Sequence, residues 1–256
     1  MPGREFLLAA RDGDTATIRT LLSTAGAQSL INYQDANGAT PVFCAAENGL
    51  ASVTEQLIGA RCDIDAQTLT GATPLYIAAE KWHASVSEML IEAGCKRDVQ
   101  NNNGATPLYI AAQKGHASVT KQLIEARCDI DLEKISGATP LSVAAQNGHS
   151  SVTKQLIEAH CNIDAQKKDG STPLFIAAQN GHASVTEILI EARCKIDLQN
   201  NNGATPLYIA AQNGHASVTK QLIEARCNVD AKIKDGSTPL FIAVPKRACV
   251  CHGDAH

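Results

Sequence analysis

Large side chains are scarce in this sequence, whose 256 residues include one Trp, four Tyr, four Phe and two Met. A conventional deep core uses many such side chains, so small residues must account for much of the packing here. Hydrophobic residues still make up 44% of the chain and charged residues only 19%, a balance unlike that of disordered proteins. We therefore expect an ordered and soluble protein.

Long hydrophobic runs and a surplus of basic charge are also missing. No run of 18 apolar residues occurs, and the apolar stretch at residues 6–10 is too short for an export signal. The net charge of −4 argues against a general nucleic-acid binder. Nine cysteines, an odd number, indicate free thiols in a reducing compartment. We predict a cytoplasmic protein, with the nucleus as the second choice, that is not secreted, binds neither membrane nor nucleic acid, and needs no cofactor or metal.

A repeat of 33 residues organises most of the chain. Each copy has a glycine that is followed, three residues later, by the proline of a Thr-Pro pair. Seven of the nine prolines occur in these pairs. The glycines are Gly38, Gly71, Gly104, Gly137, Gly170, Gly203 and Gly236. Threonine is a good helix N-cap, and proline is well tolerated at the first helical position. The pattern therefore predicts that a helix begins at every one of these prolines.

The remainder of each copy predicts a second helix and a turn. In the copy at 104–136, apolar residues recur at helical spacing in 108–112 and again in 119–124, on either side of Gly115-His116. Residues 128–132 alternate in polarity before a turn glycine, which is typical of a short β-hairpin. Each copy is thus expected to contain a finger, an inner helix, a turn and an outer helix.

Residues 104–136, GATPLYIAAQKGHASVTKQLIEARCDIDLEKIS, resemble an ankyrin repeat, with the Thr-Pro-Leu and Gly-His landmarks of that family in place. The resemblance implies a repeat solenoid, predominantly α-helical, of stacked helix-turn-helix units with β-hairpin finger loops. We expect a divergent N-terminal capping repeat at 1–37, six complete repeats at 38–235, a partial repeat at 236–244 and a disordered tail at 245–256. Pro245 should end the last helix and leave an apolar repeat face uncovered.

Three ladders depart from the family pattern. An aromatic ring replaces the usual histidine after Thr-Pro-Leu in every copy except the one with Ser142, and we interpret the rings as packing between repeats, with a ligand-stacking platform as the alternative. A basic residue replaces the glycine that usually ends the outer helix in a left-handed conformation, at a cost of about 1 kcal/mol each. These residues are Arg61, Arg127, His160, Arg193 and Arg226, with Gly94 retained. They form either a basic edge or charges neutralised by nearby glutamates.

Six cysteines form the third ladder, which we interpret as buried small hydrophobic residues rather than a metal site or disulfides. The cysteines are Cys62, Cys95, Cys128, Cys161, Cys194 and Cys227. The histidines of the Gly-His turns are implied to be structural hydrogen-bonding groups, and no unique catalytic constellation accompanies them. We therefore predict no enzyme. The tail contains Cys249, Cys251, His252 and His256, which could bind a metal ion. We favour the alternative, that these residues occur there by chance in a disordered tail.

Family resemblance implies binding through the finger tips and the inner-helix face. We predict a non-enzymatic protein-protein interaction module, an adaptor, scaffold or inhibitor, that is mostly monomeric. The alternative is a structural protein that self-associates through the uncapped C-terminal repeat face. Trp82, which replaces a turn glycine, is either a partner anchor or a locally packed residue. Candidate contact residues are Thr68, Leu69, Lys81, Trp82, Asn101, Asn102, Lys114, Lys134, Ile135, Asn147, Lys167, Lys168, Asn180, Asn200, Asn201 and Asn213. The lysines among them either meet an acidic stretch of a protein partner or only keep the surface soluble.

Overall fold

The computed structural model describes residues 2–24, 26–234 and 236–239. The chain divides into two compact units, Met1–Pro140 and Leu141–His256. Within each unit the described residues form successive helical hairpins, each made of an inner helix that begins at a proline and an outer helix. The predictions for residues 240–256, including the helix end at Pro245 and the tail, lie outside the described residues.

In the first unit, three helices precede the regular hairpins: α1 (Pro2–Asp12), α2 (Thr15–Leu22) and the short α3 (Ala27–Ile31). The inner helices of the regular hairpins are α4 (Pro41–Glu47), α6 (Pro74–Glu80) and α8 (Pro107–Lys114), and the outer ones are α5 (Ala51–Gly59), α7 (Ala84–Glu92) and α9 (Ala117–Glu125). Helix α10 (Pro140–Asn147) begins on the last residue of this unit. In the second unit follow α11 (Ser150–Glu158), α12 (Pro173–Asn180), α13 (Ala183–Glu191), α14 (Pro206–Gln212) and α15 (Ala216–Glu224).

The Thr-Pro pairs start the inner helices as predicted. In α12, the Thr172 hydroxyl accepts a hydrogen bond from the Phe175 backbone N–H at 3.2 Å, and Pro173 occupies the first helical position. The same bond caps α4, α6, α8 and α14. Each cap satisfies one of the N–H groups that a helix leaves unpaired at its start, while proline has no N–H to lose there.

We expect Thr172→Ala to lower the free energy of unfolding by about 1 kcal/mol, because the Phe175 N–H loses its partner at a buried helix end. Urea unfolding monitored by circular dichroism measures the change. Thr172→Ser keeps the hydroxyl and is the matched control, expected to lose less than half as much. Equal losses for the two variants would assign the effect to the methyl group instead of the cap.

Small residues let the repeats stack closely. Inner helix α6 packs between α4 and α8, outer helix α7 packs between α5 and α9, and in the second unit α12 packs on α14 and α13 on both α11 and α15. An alanine pair faces the neighbouring inner helices and is fully buried in α4, α6, α8 and α12. Each outer helix adds a fully buried leucine: Leu57, Leu90, Leu123, Leu156, Leu189 and Leu222. The repeated Ala and Leu positions thus supply the core that the few aromatic residues do not.

The fingers are hydrogen-bonded turns, and no β-strand occurs among the described residues. In one finger the Thr68 N–H donates to the Ala72 carbonyl at 3.0 Å, and the Gly71 N–H donates to the Thr68 carbonyl at 2.8 Å. Neighbouring fingers are also joined, since the Asn102 N–H donates to the Thr70 carbonyl at 3.0 Å. Two bonds close each finger, which is too short for the ladder of a β-hairpin.

The basic residues at the ends of the outer helices have left-handed backbones. Arg61, Arg127, Arg193 and Arg226 have φ between 60° and 62°, and His160 has φ 64°. Gly94, at the same repeat position, has φ 83°. The prediction of a left-handed position is confirmed, and the family's usual glycine is replaced there at an energetic cost.

The leading repeat lacks Thr-Pro and begins its second helix with an aspartate cap. The Asp14 carboxylate accepts hydrogen bonds from the Thr17 N–H at 2.9 Å and from the Thr17 hydroxyl at 2.6 Å, which lowers the pKa of Asp14. Helix α1 packs on α4 and α2 packs on α5, as the inner and outer helices of a repeat would. The repeat boundaries given above remain predictions.

Candidate functional site

The finger tips of the first unit expose two large apolar side chains. Leu69 is 72% exposed and Ile135 is 63% exposed. Asn102 lies on the finger between them: its side-chain amide donates to the Leu69 carbonyl at 2.8 Å, and the Ile135 N–H donates to the Asn103 carbonyl at 3.3 Å. The first-unit fingers therefore form one hydrogen-bonded row with Leu69 and Ile135 pointing into solvent.

Asparagines at the fingers hold the fingers together. The Asn101 side-chain oxygen accepts hydrogen bonds from the N–H groups of Asn103 and Ala105, at 2.9 and 3.0 Å. In the second unit Asn200 makes the equivalent bonds to Asn202 and Ala204. The Asn201 amide donates to the Lys168 carbonyl at 2.9 Å, as Asn102 does to Leu69. These candidate contact residues already have structural partners.

Asparagines at the inner-helix ends are also bonded within the chain. The side-chain amides of Asn147 and Asn180 donate to the carbonyls of Val143 and Ile176, at 2.9 and 3.0 Å. The Asn213 amide donates to the Gln179 carbonyl in the preceding repeat at 2.8 Å. The Gln179 carbonyl is one of the four that the end of α12 leaves without a partner inside the helix. The capacity of these amides to bind a partner is correspondingly reduced.

The candidate lysines differ in their surroundings. Lys134 places its Nζ 5.5 Å from the centroid of the Tyr109 ring, a cation–π arrangement. Lys167 is partly buried and lies 3.7 Å from the Asp169 carboxylate, whose hydrogen bonds with Ser171 help to lower the pKa of that aspartate. Lys168, the next residue on that finger, is exposed. The positive charge at these tips is therefore partly neutralised in the second unit.

A groove of about 330 Å³ in the first unit was not anticipated from the sequence. Its lining includes Phe43, Leu69 and Arg11, together with the carboxylates of Asp35 and Glu47. One feature of the sequence could have indicated the acidic lining of this groove. It is the residue that precedes the asparagine or lysine at the end of each inner helix. This position is glutamate in the first two regular repeats and glutamine at Gln113, Gln146, Gln179 and Gln212. The groove shows that the inner face of the first unit begins with acidic residues.

Trp82 lies in the turn between α6 and α7, at the opposite end of α6 from the finger. Its backbone is left-handed, with φ 65°, and its side chain is 63% exposed. The indole stacks on the His116 ring with centroids 5.7 Å apart and planes 9° apart. The indole N–H donates to the Ser118 hydroxyl at 3.0 Å. A seven-residue helix spans about 10 Å, so Trp82 is not part of the finger row.

The turn histidines hold neighbouring repeats together, as the family resemblance implies. The Nε2–H of His83 donates to the Glu47 carbonyl at 3.0 Å, and His215 does the same to Gln179 at 3.0 Å. The rings of His83, His182 and His215 fill the space beside the turn glycine of the preceding repeat. A Cβ added at Gly49 would lie 2.5 Å from His83 Nδ1. These histidines therefore have a structural role.

The aromatic ladder packs between repeats. Phe43, Tyr109, Phe175 and Tyr208 are all buried, and Phe175 and Tyr208 form a cluster with Ala204 in the second unit. Burial also raises the pKa of Tyr76 to about 12. The packing interpretation is confirmed for these rings, while Phe241 lies outside the described residues.

The described cysteines are buried and form no disulfide with one another, and the burial predicted for the six cysteines of the ladder is confirmed. Burial raises the pKa of Cys62, Cys95, Cys128 and Cys194 to about 12 and that of Cys44 and Cys227 to about 11. Thiolate is the reactive form, so these thiols should be poor nucleophiles and poor metal ligands at neutral pH.

We expect iodoacetamide at pH 8 to label six cysteines, Cys44, Cys62, Cys95, Cys128, Cys194 and Cys227, at least 100-fold more slowly in the native chain than in guanidinium. A pKa of about 11 to 12 leaves roughly a hundredth to a thousandth of the usual thiolate. The rate should rise about tenfold per pH unit. Mass spectrometry of a Cys249→Ser, Cys251→Ser variant counts the labels. Rapid native labelling of the Cys62 ladder would contradict its burial.

Among residues 2–24, 26–234 and 236–239, no three His, Cys, Asp or Glu side chains are grouped so that they could hold a metal ion. Within the same ranges, none of the helices has the length and hydrophobicity needed to span a membrane.

Comparisons with known proteins identify the repeat. The family model described as "Ankyrin repeats (3 copies)" matches six overlapping segments: 6–101, 44–134, 83–167, 111–200, 141–233 and 174–251. None of the curated proteins compared with the chain matches it. Among solved structures, the ankyrin repeat domain of Bcl-3, "a unique member of the IkappaB protein family", is similar with a TM-score of 0.75 and 23% identity. The match covers 82% of this chain and 96% of that one, and it supports a stacked solenoid with paired helices in each repeat. The chain belongs to the ankyrin repeat family.

Proposed function

We propose that this chain is a non-enzymatic adaptor, scaffold or inhibitor that binds a protein partner along its fingers and inner-helix ends. Ankyrin repeat domains are generally protein-protein interaction modules and are typically non-catalytic. The observation that carries the proposal is the first-unit finger row, in which Leu69 and Ile135 are exposed on a hydrogen-bonded backbone. Exposed apolar side chains on a rigid support are typical of interaction surfaces.

The chemistry of the side chains supports a binding role over catalysis. The turn histidines use their Nε2 atoms to bond the preceding repeat, and burial raises the pKa of six cysteines. A catalytic site generally brings a unique set of reactive groups into one pocket. In this chain the same groups recur in periodic copies with structural partners.

The partner's chemistry follows from the charges at the fingers. Lys114, Lys134 and Lys168 present ammonium groups that an acidic stretch of a partner would meet. Asp35 and Glu47 line the groove at the beginning of the first unit and would repel such a stretch. We therefore assign the acidic stretch to the later fingers and a neutral or apolar segment to Leu69 and the groove.

Binding with matched variants tests this proposal. Partners are captured from a native lysate, identified by mass spectrometry and measured by titration. The finger variant combines Leu69→Ser, Ile135→Ser, Lys134→Glu, Lys167→Glu and Lys168→Glu. The control carries Lys121→Glu, Lys154→Glu and Lys220→Glu, which make the same charge change on the exposed outer helices.

We expect the finger variant to lose at least tenfold in affinity for a captured partner and the outer-helix control to change by less than threefold. Both variants must first show native circular dichroism. A partner that binds both variants equally, or loses affinity only for the control, would contradict binding along the fingers.

Self-association is the second candidate, and one observation favours it. Ile223 is 50% exposed and Val229 is 45% exposed at the end of the described chain, where they line a groove of about 270 Å³ with Leu207 and Pro239. An exposed apolar groove is a typical contact between copies. Sedimentation equilibrium of the full chain should show monomers under the first proposal. Dimers that dissociate on Ile223→Glu substitution would favour self-association.

A further inference from the structure

We infer that Trp82 and His116 form a second contact site, at the turns of the first unit, for an acidic peptide segment that places a proline or aromatic ring on the indole. The site lies at the opposite end of α6 from the finger row. The inference rests on the proposed function, because it assumes that the chain binds a protein partner. The parts of the site are the stacked rings of Trp82 and His116, the Ser118 hydroxyl and the ammonium groups of Lys81 and Lys114.

The indole is held in place before any ligand arrives. One face lies against His116, with centroids 5.7 Å apart, and the indole N–H is bonded to Ser118. His116 is fixed in turn, since its Nε2–H donates to the Glu80 carbonyl at 3.1 Å. The side chain is nevertheless 63% exposed, which leaves the second face of the indole open to solvent. An aromatic ring or a proline can stack on such a face.

The contacts with His116 and Ser118 leave most of Trp82 exposed, at a position where other repeats have glycine. The equivalent turn residues Gly49, Gly148 and Gly181 are glycines with φ between 68° and 74°, and the next histidine occupies the space beside them. Trp82 has the same left-handed backbone without glycine's freedom. Phe43, Tyr109, Phe175 and Tyr208 are buried at the inner helices and Tyr76 is half-buried there, whereas Trp82 is mostly exposed. A strained residue with an exposed aromatic surface indicates a binding role.

The charges around Trp82 change together with the tryptophan. At the inner-helix ends, the regular repeats have Asn48, Lys81, Lys114, Asn147, Asn180 and Asn213. The two lysines thus occur in the repeat that contains Trp82 and in the repeat whose histidine stacks on it. Glu80 and Glu47 are the last residues of their inner helices, and Glu47 lines the groove with Leu69. The two turns that hold the stacked rings, residues 81–83 and 114–116, contain the lysines Lys81 and Lys114 and no carboxylate, which favours an acidic segment.

The second unit contains a natural comparison for this site. Residues 99–128 and 198–227 differ at two positions, one of which is Lys114 against Asn213. In the repeats that precede these segments, Lys81 and Trp82 correspond to Asn180 and Gly181. The backbone framework is therefore repeated in the second unit, while the tryptophan and both lysines are specific to the first.

Trp82 is the one tryptophan of the chain, so its fluorescence reports on the site directly. A random peptide library is displayed against the immobilised full chain, and enriched peptides without tryptophan are synthesised for titration. We expect Asp and Glu beside Pro, Phe or Tyr in these peptides, and a change in the emission of Trp82 on binding. Variants Trp82→Gly and Lys81→Asn, Lys114→Asn restore the residue types of the other repeats and should therefore fold.

We expect Trp82→Gly to weaken peptide binding at least tenfold, and the two lysine substitutions to weaken it severalfold and reduce its sensitivity to salt. Peptides that bind Trp82→Gly and the native chain within twofold, or a selection without acidic enrichment, would overturn the site. The finger variant is titrated in parallel. Peptides whose binding is weakened by the finger variant but not by Trp82→Gly would contradict the Trp82 site and leave the proposed function in place. Peptides whose binding is weakened by neither variant would contradict both the Trp82 site and binding along the fingers.

Discussion

Glycine at the five left-handed positions should raise the free energy of unfolding by roughly 1 kcal/mol per site, and by several kcal/mol when combined. The substitutions are Arg61→Gly, Arg127→Gly, His160→Gly, Arg193→Gly and Arg226→Gly. These residues have φ between 60° and 64°, a conformation that is costly for any residue with a Cβ. Their side chains are exposed, so little packing is lost in exchange. Urea unfolding of each single variant and of the combination measures the gain.

Alanine separates the backbone effect from the effect of charge. Arg193→Ala removes the guanidinium but keeps the Cβ, so it should leave the left-handed strain in place and gain little stability. Gly94→Arg makes the reverse change at the same repeat position, where φ is 83°, and should lower stability by roughly 1 kcal/mol. If Arg193→Ala stabilises the chain as much as Arg193→Gly, repulsion along the basic edge is the cause.

Alanine at the finger glycines should give a graded loss, with Gly170→Ala lowering the free energy of unfolding by roughly 2 to 4 kcal/mol. Gly170, Gly203 and Gly236 have similar φ values of 78°, 82° and 87°. A Cβ at Gly170 would lie 2.8 Å from the backbone N of Asn201, whereas at Gly203 the nearest atom is 3.3 Å away. The added methyl would therefore push apart two bonded fingers at Gly170.

Gly236→Ala is the open member of this series. No described atom lies within 4 Å of its added Cβ, so only the backbone term of about 1 kcal/mol should remain. Gly94→Ala, with φ 83° and the same open space in the first unit, checks that nearness to the end of the array does not explain the smaller loss. Equal losses at Gly170 and Gly94 would show that finger contact contributes little.

Local chemistry made the fold predictable from the sequence. Thr172-Pro173 specifies a helix start through one hydroxyl and one missing N–H, and this rule holds without knowledge of the neighbours. The left-handed conformation at Arg193 followed from the family's glycine at that position. The repeat period then placed the helices of the regular repeats, because equivalent residues recur every 33 positions, whereas the short α3 of the leading repeat has no counterpart in that pattern.

The candidate site was less predictable because it depends on contacts between repeats. The repeat register predicts Asn102 and Asn213 as exposed contact residues, but their amides bond carbonyls in the adjacent repeat. The sequence marks Trp82 as unusual because it replaces a glycine, yet its stacking on His116 depends on how two repeats are arranged in space. The carboxylates of Asp35 and Glu47 are distant in sequence from Leu69 and share a groove with it only after folding.

Hydrogen exchange of the chain with and without a captured partner shows which surface the partner covers. Amide exchange should slow on binding at the finger tips, residues 68–70, 101–103 and 134–136, and at the inner-helix ends. The outer helices, such as α9 and α13, should keep their rates. Protection confined to the outer helices, or to residues 223–239 at the end of the described chain, would contradict binding along the fingers.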